Sequence, residues 1–344
     1  MRFSALTVAE VREETADGVV VRFAEAIVFA AGQYLTVRRF VDGEEVRRCY
    51  SICSPVGGPL QIGVKRVPGG NVSTWATTEL RAGDTVEVAG PEGNFGAGGH
   101  AHKRIVAFAA GSGITPVLSI VATALANGSE AVLVYANRRV TSAMFLDELD
   151  DLKSRYFAQL RIWPVFSRDH AELELLNGHI DAAALVGAAM VPTDADAYYV
   201  CGPEGLAESV GRDLRACGVA AGLIRTERFT PGRRVGARRP DALRSATPDP
   251  AAAVAQLGLY FQGRLTTIAM HEGETILAAG LRERPDLPWS CAAGVCATCR
   301  ARLAEGTVEM AQCHGLEDEE RQRGFVLTCQ AVPTSTAVSV DYDA

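Results

Sequence analysis

Cys291-Ala292-Ala293-Gly294-Val295-Cys296-Ala297-Thr298-Cys299, followed thirty residues later by Cys329, is the stretch on which the reading of this chain turns. Four thiolates spaced C-x4-C-x2-C…C match the ligand set of a [2Fe–2S] cluster, where a tight loop wraps three cysteines around one side of two irons. Gly294 suits such a loop, because a residue without Cβ can turn backbone N–H groups toward sulfur. The rival is a structural zinc site, which ordinarily pairs two C-x2-C knuckles; here there is one, and the fourth cysteine stands apart. Cys291, Cys296, Cys299 and Cys329 are therefore the expected metal ligands. Cys49, Cys53, Cys201, Cys217 and Cys313 are scattered and bring the total to nine. An odd number without a repeating pattern does not read as a disulfide framework.

The rest of the 344 residues set the context for that loop. Hydrophobic residues make up 48% and charged residues 22%, the balance of a folded chain rather than a disordered one. The length predicts two or three domains at about 100–200 residues each. A net charge of −7 argues against general nucleic-acid binding, which needs a basic surface. A membrane span needs about 18 apolar residues, and the longest runs, at 105–110 and 182–191, are far shorter. Glu10, Arg12, Glu13 and Glu14 stand where a secretory signal needs its apolar stretch, so a cytoplasmic location without membrane contact is expected.

Three regimes and a linker divide the chain. Residues 1–102 alternate short β-rich runs (19–23, 34–40, 46–52, 60–65, 85–88) with Gly and Pro, which predicts an antiparallel barrel or sandwich. Over 103–229, apolar strands at 105–110, 131–136, 162–166 and 198–201 alternate with helices, one of them with Pro116 near its start and one over 204–217. That alternation predicts a doubly wound parallel sheet. Residues 230–256 lose all periodicity and mix arginines with prolines, the composition of a linker long enough to tether a mobile module. Short strands resume over 257–344 around the cysteines, with twelve acidic and seven basic residues.

Two further motifs carry chemistry. Arg48-Cys49-Tyr50-Ser51 lies on a barrel strand, where a guanidinium can pair with phosphate and an aromatic ring can stack on a planar cofactor. Gly111-Ser112-Gly113-Ile114-Thr115-Pro116 follows the first strand of the parallel sheet, and Cys201-Gly202-Pro203 ends a later strand at the carboxyl side where ligands of open α/β sheets bind. In order and spacing these motifs resemble the ferredoxin–NADP reductase superfamily, and the Ser290–Cys299 loop resembles a plant-type ferredoxin. Segments 64–75, 306–314 and Val340-Asp341-Tyr342-Asp343 further resemble the phenylacetyl-CoA epoxidase reductase family, with reductases of Rieske-type steroid hydroxylases sharing the modular order.

The resemblance implies a flavin-binding β-barrel, an α/β nucleotide domain and a C-terminal α+β (β-grasp) ferredoxin. It implies FAD, with FMN as the alternative, and roles for Tyr50, Ser51 and Cys201 at the reacting rings. Cofactor contacts are implied for Arg48, Tyr50, Ser51, Val64, Lys65, Gly70, Val72, Ser73 and Thr74 on the flavin side. On the nucleotide side they are implied for Gly111, Gly113, Thr115, Pro116, Asn137, Arg138, Ser142, Gly202, Pro203 and Phe229. Arg138, with Arg139 and Ser142, occupies the place that separates a ribose hydroxyl from a 2′-phosphate, and arginine there favours NADPH. The expected activity is an NADPH-dependent reductase that passes electrons one at a time to a separate oxygenase component. A non-catalytic electron carrier or redox sensor is the rival from another class. His100 and His102 are expected to be solvated, and the 317–320 acidic run to form a solvated or docking face.

Overall fold

The computed structural model describes residues 1–96, 102–229 and 253–344. His100 and residues 230–252 of the expected linker lie outside them. The chain divides into two compact units, one over Phe3–Phe229 and one containing the cysteine loop.

In the first unit, β1 (Ser4–Thr15), β2 (Gly18–Phe23), β3 (Tyr34–Val41), β4 (Glu44–Ser51), β5 (Gln61–Lys65), helix α1 (Asn71–Thr78) and β6 (Thr85–Glu92) come first. The strands form an antiparallel sheet in the order β4-β3-β6-β1-β2-β5. A bridge between Ile52 and Ile62 joins its two ends, so the sheet is a barrel rather than a sandwich. Asp42 and Gly43, both with positive φ, make the two-residue turn whose twist suits a β-hairpin. Val21, Leu35, Val37, Ile62, Val64 and Val72 fill the interior.

The parallel half follows: β7 (Arg104–Ala110), α2 (Ile114–Ala126), β8 (Glu130–Asn137), α3 (Leu146–Arg155), β9 (Leu160–Phe166), α4 (Ala182–Gly187), β10 (Ala197–Gly202), α5 (Glu204–Ala216) and β11 (Ile224–Arg228). The order β11-β10-β7-β8-β9 is parallel throughout. Ile105, Ala107 and Ala109 pack on one face of β7, Val106 and Phe108 on the other, which is why its sequence is continuously apolar. His102 is half-buried rather than solvated; its carbonyl accepts the Ser129 hydroxyl at 2.6 Å, and its Nε2 is buried.

The second unit contains β12 (Ala255–Phe261), β13 (Arg264–Met270), α6 (Ile276–Glu283), β14 (Arg300–Glu305), β15 (Val308–Met310), α7 (Asp318–Gln322), β16 (Phe325–Leu327), β17 (Ala331–Pro333) and β18 (Ala337–Asp341). A mixed sheet runs β13-β12-β18-β14-β16, and β15 pairs with β17. β18 lies parallel to β12 and antiparallel to β14. β12 begins at Ala255, inside the stretch read as linker, because Ala255, Leu257 and Leu259 alternate into the core.

Candidate functional site

Ser51 ends β4 and is buried, and its hydroxyl lies 3.4 Å from Oε1 of Glu227 on β11. The parallel register of β10 and β11 sets Cys201 beside Glu227. Burial pushes the Glu227 carboxyl up to about 8, with the Ser51 hydroxyl acting the other way. Burial, reinforced by Glu227, pushes the Cys201 thiol well up, so it is a neutral S–H near pH 7. A hydroxyl, a thiol and a carboxyl pushed toward its protonated form thus meet where the barrel and the parallel sheet join.

Two glycine turns close on the same place. A Cβ on Gly113 would lie 2.2 Å from the Cys201 carbonyl oxygen, so only glycine lets the Gly111–Gly113 turn approach the Cys201-Gly202-Pro203 corner. Thr115 and Pro116 are buried in the first turn of α2, and the Thr115 hydroxyl donates to Ser112 O at 3.0 Å. The Phe229 N–H donates to Gly202 O at 3.1 Å, bringing that ring to the same corner. Pro203 caps α5 at its exposed N-terminal end.

On the barrel, Arg48 is exposed and half-buried Tyr50 lies two residues further along β4; desolvation holds the Tyr50 hydroxyl un-ionised. Ser73 serves the turn before α1, where its hydroxyl accepts from Val67 N at 3.1 Å. Gly70 is the N-cap, its carbonyl accepts the Thr74 N–H at 3.1 Å and no side chain caps the helix, so the first-turn N–H groups ahead of Thr74 are available to an anion. Val64 and Val72 send their side chains into the core, leaving only backbone for a ligand. Lys65 donates to Ser142 O at 2.7 Å and pairs with Asp17 at 3.4 Å, so its ammonium is already engaged.

At the end of β8, Asn137 O accepts from Ser167 N and Arg138 O accepts from Arg168 N at 2.9 Å. Arg138 and Arg168 therefore stand side by side at the carboxyl ends of neighbouring strands, both exposed. Arg139 differs: it pairs with Asp169 at 3.1 Å and exchanges hydrogen bonds with Ser142. The sequence reading missed Arg168 and assigned Glu227 no role.

In the second unit, three residues of the cysteine loop adopt left-handed backbone: Ala292, Gly294 and Ala297. That winding turns amides inward, so that Cys291 Sγ accepts from Ala293 N at 3.3 Å. Gln330 Nε2 lies 3.7 Å from Cys329 Sγ. Cys291 lies against Cys296, and Cys299 against Cys329 with Cys296 also nearby; this crowding drives the Cys291 and Cys299 thiols well up. Among the described residues no three Cys, His, Asp or Glu side chains are grouped to hold a single ion. Four thiols cradled by amide donors fit a [2Fe–2S] cluster, which these residues would hold and which would supply one-electron steps.

The fold and these sites define a flavin- and nicotinamide-dependent iron–sulfur oxidoreductase, an electron-transfer component of oxygenase systems. Family models agree, with an oxidoreductase FAD-binding domain at residues 17–96, an oxidoreductase NAD-binding domain at 108–212 and a 2Fe-2S iron-sulfur cluster binding domain at 259–334. FAD, NAD(P)H and a [2Fe–2S] cluster are its cofactors. The E component of 1,2-phenylacetyl-CoA epoxidase from Escherichia coli K12 is 40% identical, across 99% of this chain and 98% of that one. The ferredoxin reductase component of 3-ketosteroid-9-alpha-monooxygenase from Rhodococcus rhodochrous is 31% identical over 98% and 96%. The solved phthalate dioxygenase reductase shares the fold at a TM-score of 0.61 and 24% identity, covering 98% of each chain. The chain belongs to the phenylacetyl-CoA epoxidase reductase family. No helix of the described residues is long and apolar enough to cross a membrane.

Proposed function

We propose that this chain oxidises NADPH and supplies single electrons to an epoxidase that acts on an aryl-CoA thioester, phenylacetyl-CoA being the first candidate, in the cytoplasm. The observation that carries the reading is the meeting of Ser51, Cys201 and Glu227 at one corner of a chain 40% identical to the epoxidase reductase over nearly its full length. Bound flavin supplies the conversion of a two-electron hydride into single electrons that a [2Fe–2S] cluster can take. The chain's own residues hold and orient the partners. Arg48 pairs with flavin phosphate, Tyr50 offers its ring face, and the Gly70–Thr74 turn gives amides to the pyrophosphate. Gly111, Gly113, Thr115 and Pro116 shape the turn that receives the nicotinamide nucleotide, and Gly202 and Pro203 line its far side.

Ser51 and Cys201 orient the reacting rings, Phe229 covers them, and Glu227 holds a proton beside them near neutral pH. Arg138 and Arg168 form a fork for the 2′-phosphate, with Asn137 and Ser142 at its base. Cys291, Cys296, Cys299 and Cys329 hold the cluster. Anaerobic addition of NADPH to the purified protein should bleach flavin and cluster absorbance together. Adding the oxygenase components of an aryl-CoA epoxidase should then support turnover that depends on this chain. Turnover with a Rieske-type oxygenase and none with the epoxidase would overturn the partner assignment.

A further inference from the structure

Residues 142–145 are gripped from three strands of the barrel. Oε1 of Glu14, near the end of β1, accepts the Phe145 N–H at 2.5 Å. From β5, the Lys65 ammonium donates to Ser142 O at 2.7 Å. On β2, Gly18 leaves the space in which Met144 lies, since a Cβ there would come within 3.3 Å of its sulfur. Gly63 leaves room first for the Thr115 methyl, at 2.4 Å, and next for the Phe145 ring, at 3.1 Å.

Two features of this contact are unfavourable in isolation. Phe145 has a φ of 63°, a left-handed conformation costly for a bulky residue. Glu14 is a carboxylate whose side chain is only 6% exposed. Desolvation raises its pKa, Glu148 and Asp147 add to that, and the Phe145 N–H and Arg12, which pairs with both Glu14 and Glu148, oppose it. A strained aromatic and a buried carboxylate at one contact call for a return elsewhere.

The far end of the grip supplies it. The Ser142 hydroxyl donates to Arg139 O at 2.8 Å and accepts from Arg139 N at 3.2 Å. The Tyr135 hydroxyl accepts the Met144 N–H at 3.0 Å and lies 3.4 Å from Gly111 O. One residue therefore links the gripped segment to the Arg138–Ser142 turn, and another links it to the Gly111–Gly113 turn. We propose that Glu14 and Lys65 are positioning residues for the pyridine nucleotide: acting through residues 142–145, they fix the spacing between the two turns that receive it. The proposal rests on the nucleotide site proposed above.

The test uses full-length, FAD-loaded protein and three variants. Glu14→Ala removes the acceptor, Glu14→Gln keeps a carbonyl oxygen for the Phe145 N–H, and Lys65→Met removes the second hold. Amide hydrogen exchange at residues 142–145 is measured without nucleotide, and affinity is measured by titration with 2′,5′-ADP and 5′-AMP. Glu14→Ala and Lys65→Met should speed exchange and weaken the preferred nucleotide by about three- to thirty-fold, the range of a coupling transmitted through packed neighbours. In Glu14→Ala the KM for NADPH should rise by the same factor with kcat nearly unchanged, and Glu14→Gln should restore both readouts. Exchange or affinity in Glu14→Ala equal to wild type overturns the proposal, as does a Glu14→Gln protein as impaired as Glu14→Ala. If Glu14→Ala loses FAD, Lys65→Met decides on the same two readouts. Failure of the nucleotide-site reading looks different: Arg138→Ala would leave 2′,5′-ADP affinity intact, while the exchange result would still judge the grip.

Discussion

Desolvation beside the Cys201 thiol and the Ser51 hydroxyl pushes the Glu227 carboxyl up and favours its protonated form. Its pKa in the fold, about 8, lies above the ordinary 4.5, so the fold favours the protonated form. The stability this adds is fully present below the ordinary value and is lost as pH rises through about 8. The neutral acid is also the form that tolerates negative charge arriving nearby. The rate of flavin reduction by NADPH, followed by stopped flow, should therefore fall as pH rises through that value. Glu227→Gln, which is neutral at every pH, should flatten the profile there. The arginine fork gives a second prediction. A hydrogen bond to a charged group contributes about 1.5–3 kcal/mol, so Arg138→Ala or Arg168→Ala should cost about ten- to a hundred-fold in kcat/KM for NADPH. NADH, which has no 2′-phosphate, should be little affected. The cysteines were singled out because coordination fixes their spacing, and Tyr50 and Ser51 because they are neighbours in sequence. Glu227 and Arg168 were not, because their partners lie 176 and 30 residues away and only strand pairing brings them together.

Elements were legible where one pattern rules a segment and obscure where two partners share it. Four of the five parallel strands stood out as apolar runs because both faces of that sheet are covered, whereas β11, polar and only half-buried, did not. β1 gave no such signal: Ser4–Thr7 pairs with β6 while Val8–Thr15 pairs with β2, and within it only Leu6 and Val8 are fully buried. Its many polar residues give no alternation from which a strand is predicted. The Gly111–Gly113 turn has little room to change at its last residue. In Gly113→Ala the new methyl meets the Cys201 carbonyl, a backbone atom that cannot swing away. Urea unfolding should show a loss of about 1–3 kcal/mol, the usual cost of overpacking, together with weakened nucleotide binding. Gly205, inside α5, makes the contrasting case, since a Cβ there has nothing within 4 Å. Gly205→Ala should instead stabilise by up to about 1 kcal/mol through helix propensity.

Across the whole molecule, the change of composition from barrel to parallel sheet to cysteine-bearing unit was visible because each needs its own hydrophobic periodicity. The second unit has its own core, in which Cys299 and Cys329 pack with Leu257, Leu259, Ile276 and Val340. Replacing one ligand should therefore act on that unit alone. Cys296→Ser should abolish the cluster, lowering iron and labile sulfide from about two each per chain, and should lower the melting temperature of that unit. FAD content and NADPH-driven reduction of a dye at the flavin should persist; loss of dye reduction would contradict the separation. The placement of β18 bears on how the protein is made. That strand lies between β12 and β14, with Gln256 opposite Ala337. During synthesis all four cysteines leave the ribosome before residues 337–341 do, yet the sheet that encloses them lacks its middle strand until then. Until residues 337–341 pair, every ligand stands on an unfinished scaffold, so durable cluster insertion should wait for release of Asp341 and follow translation rather than accompany it.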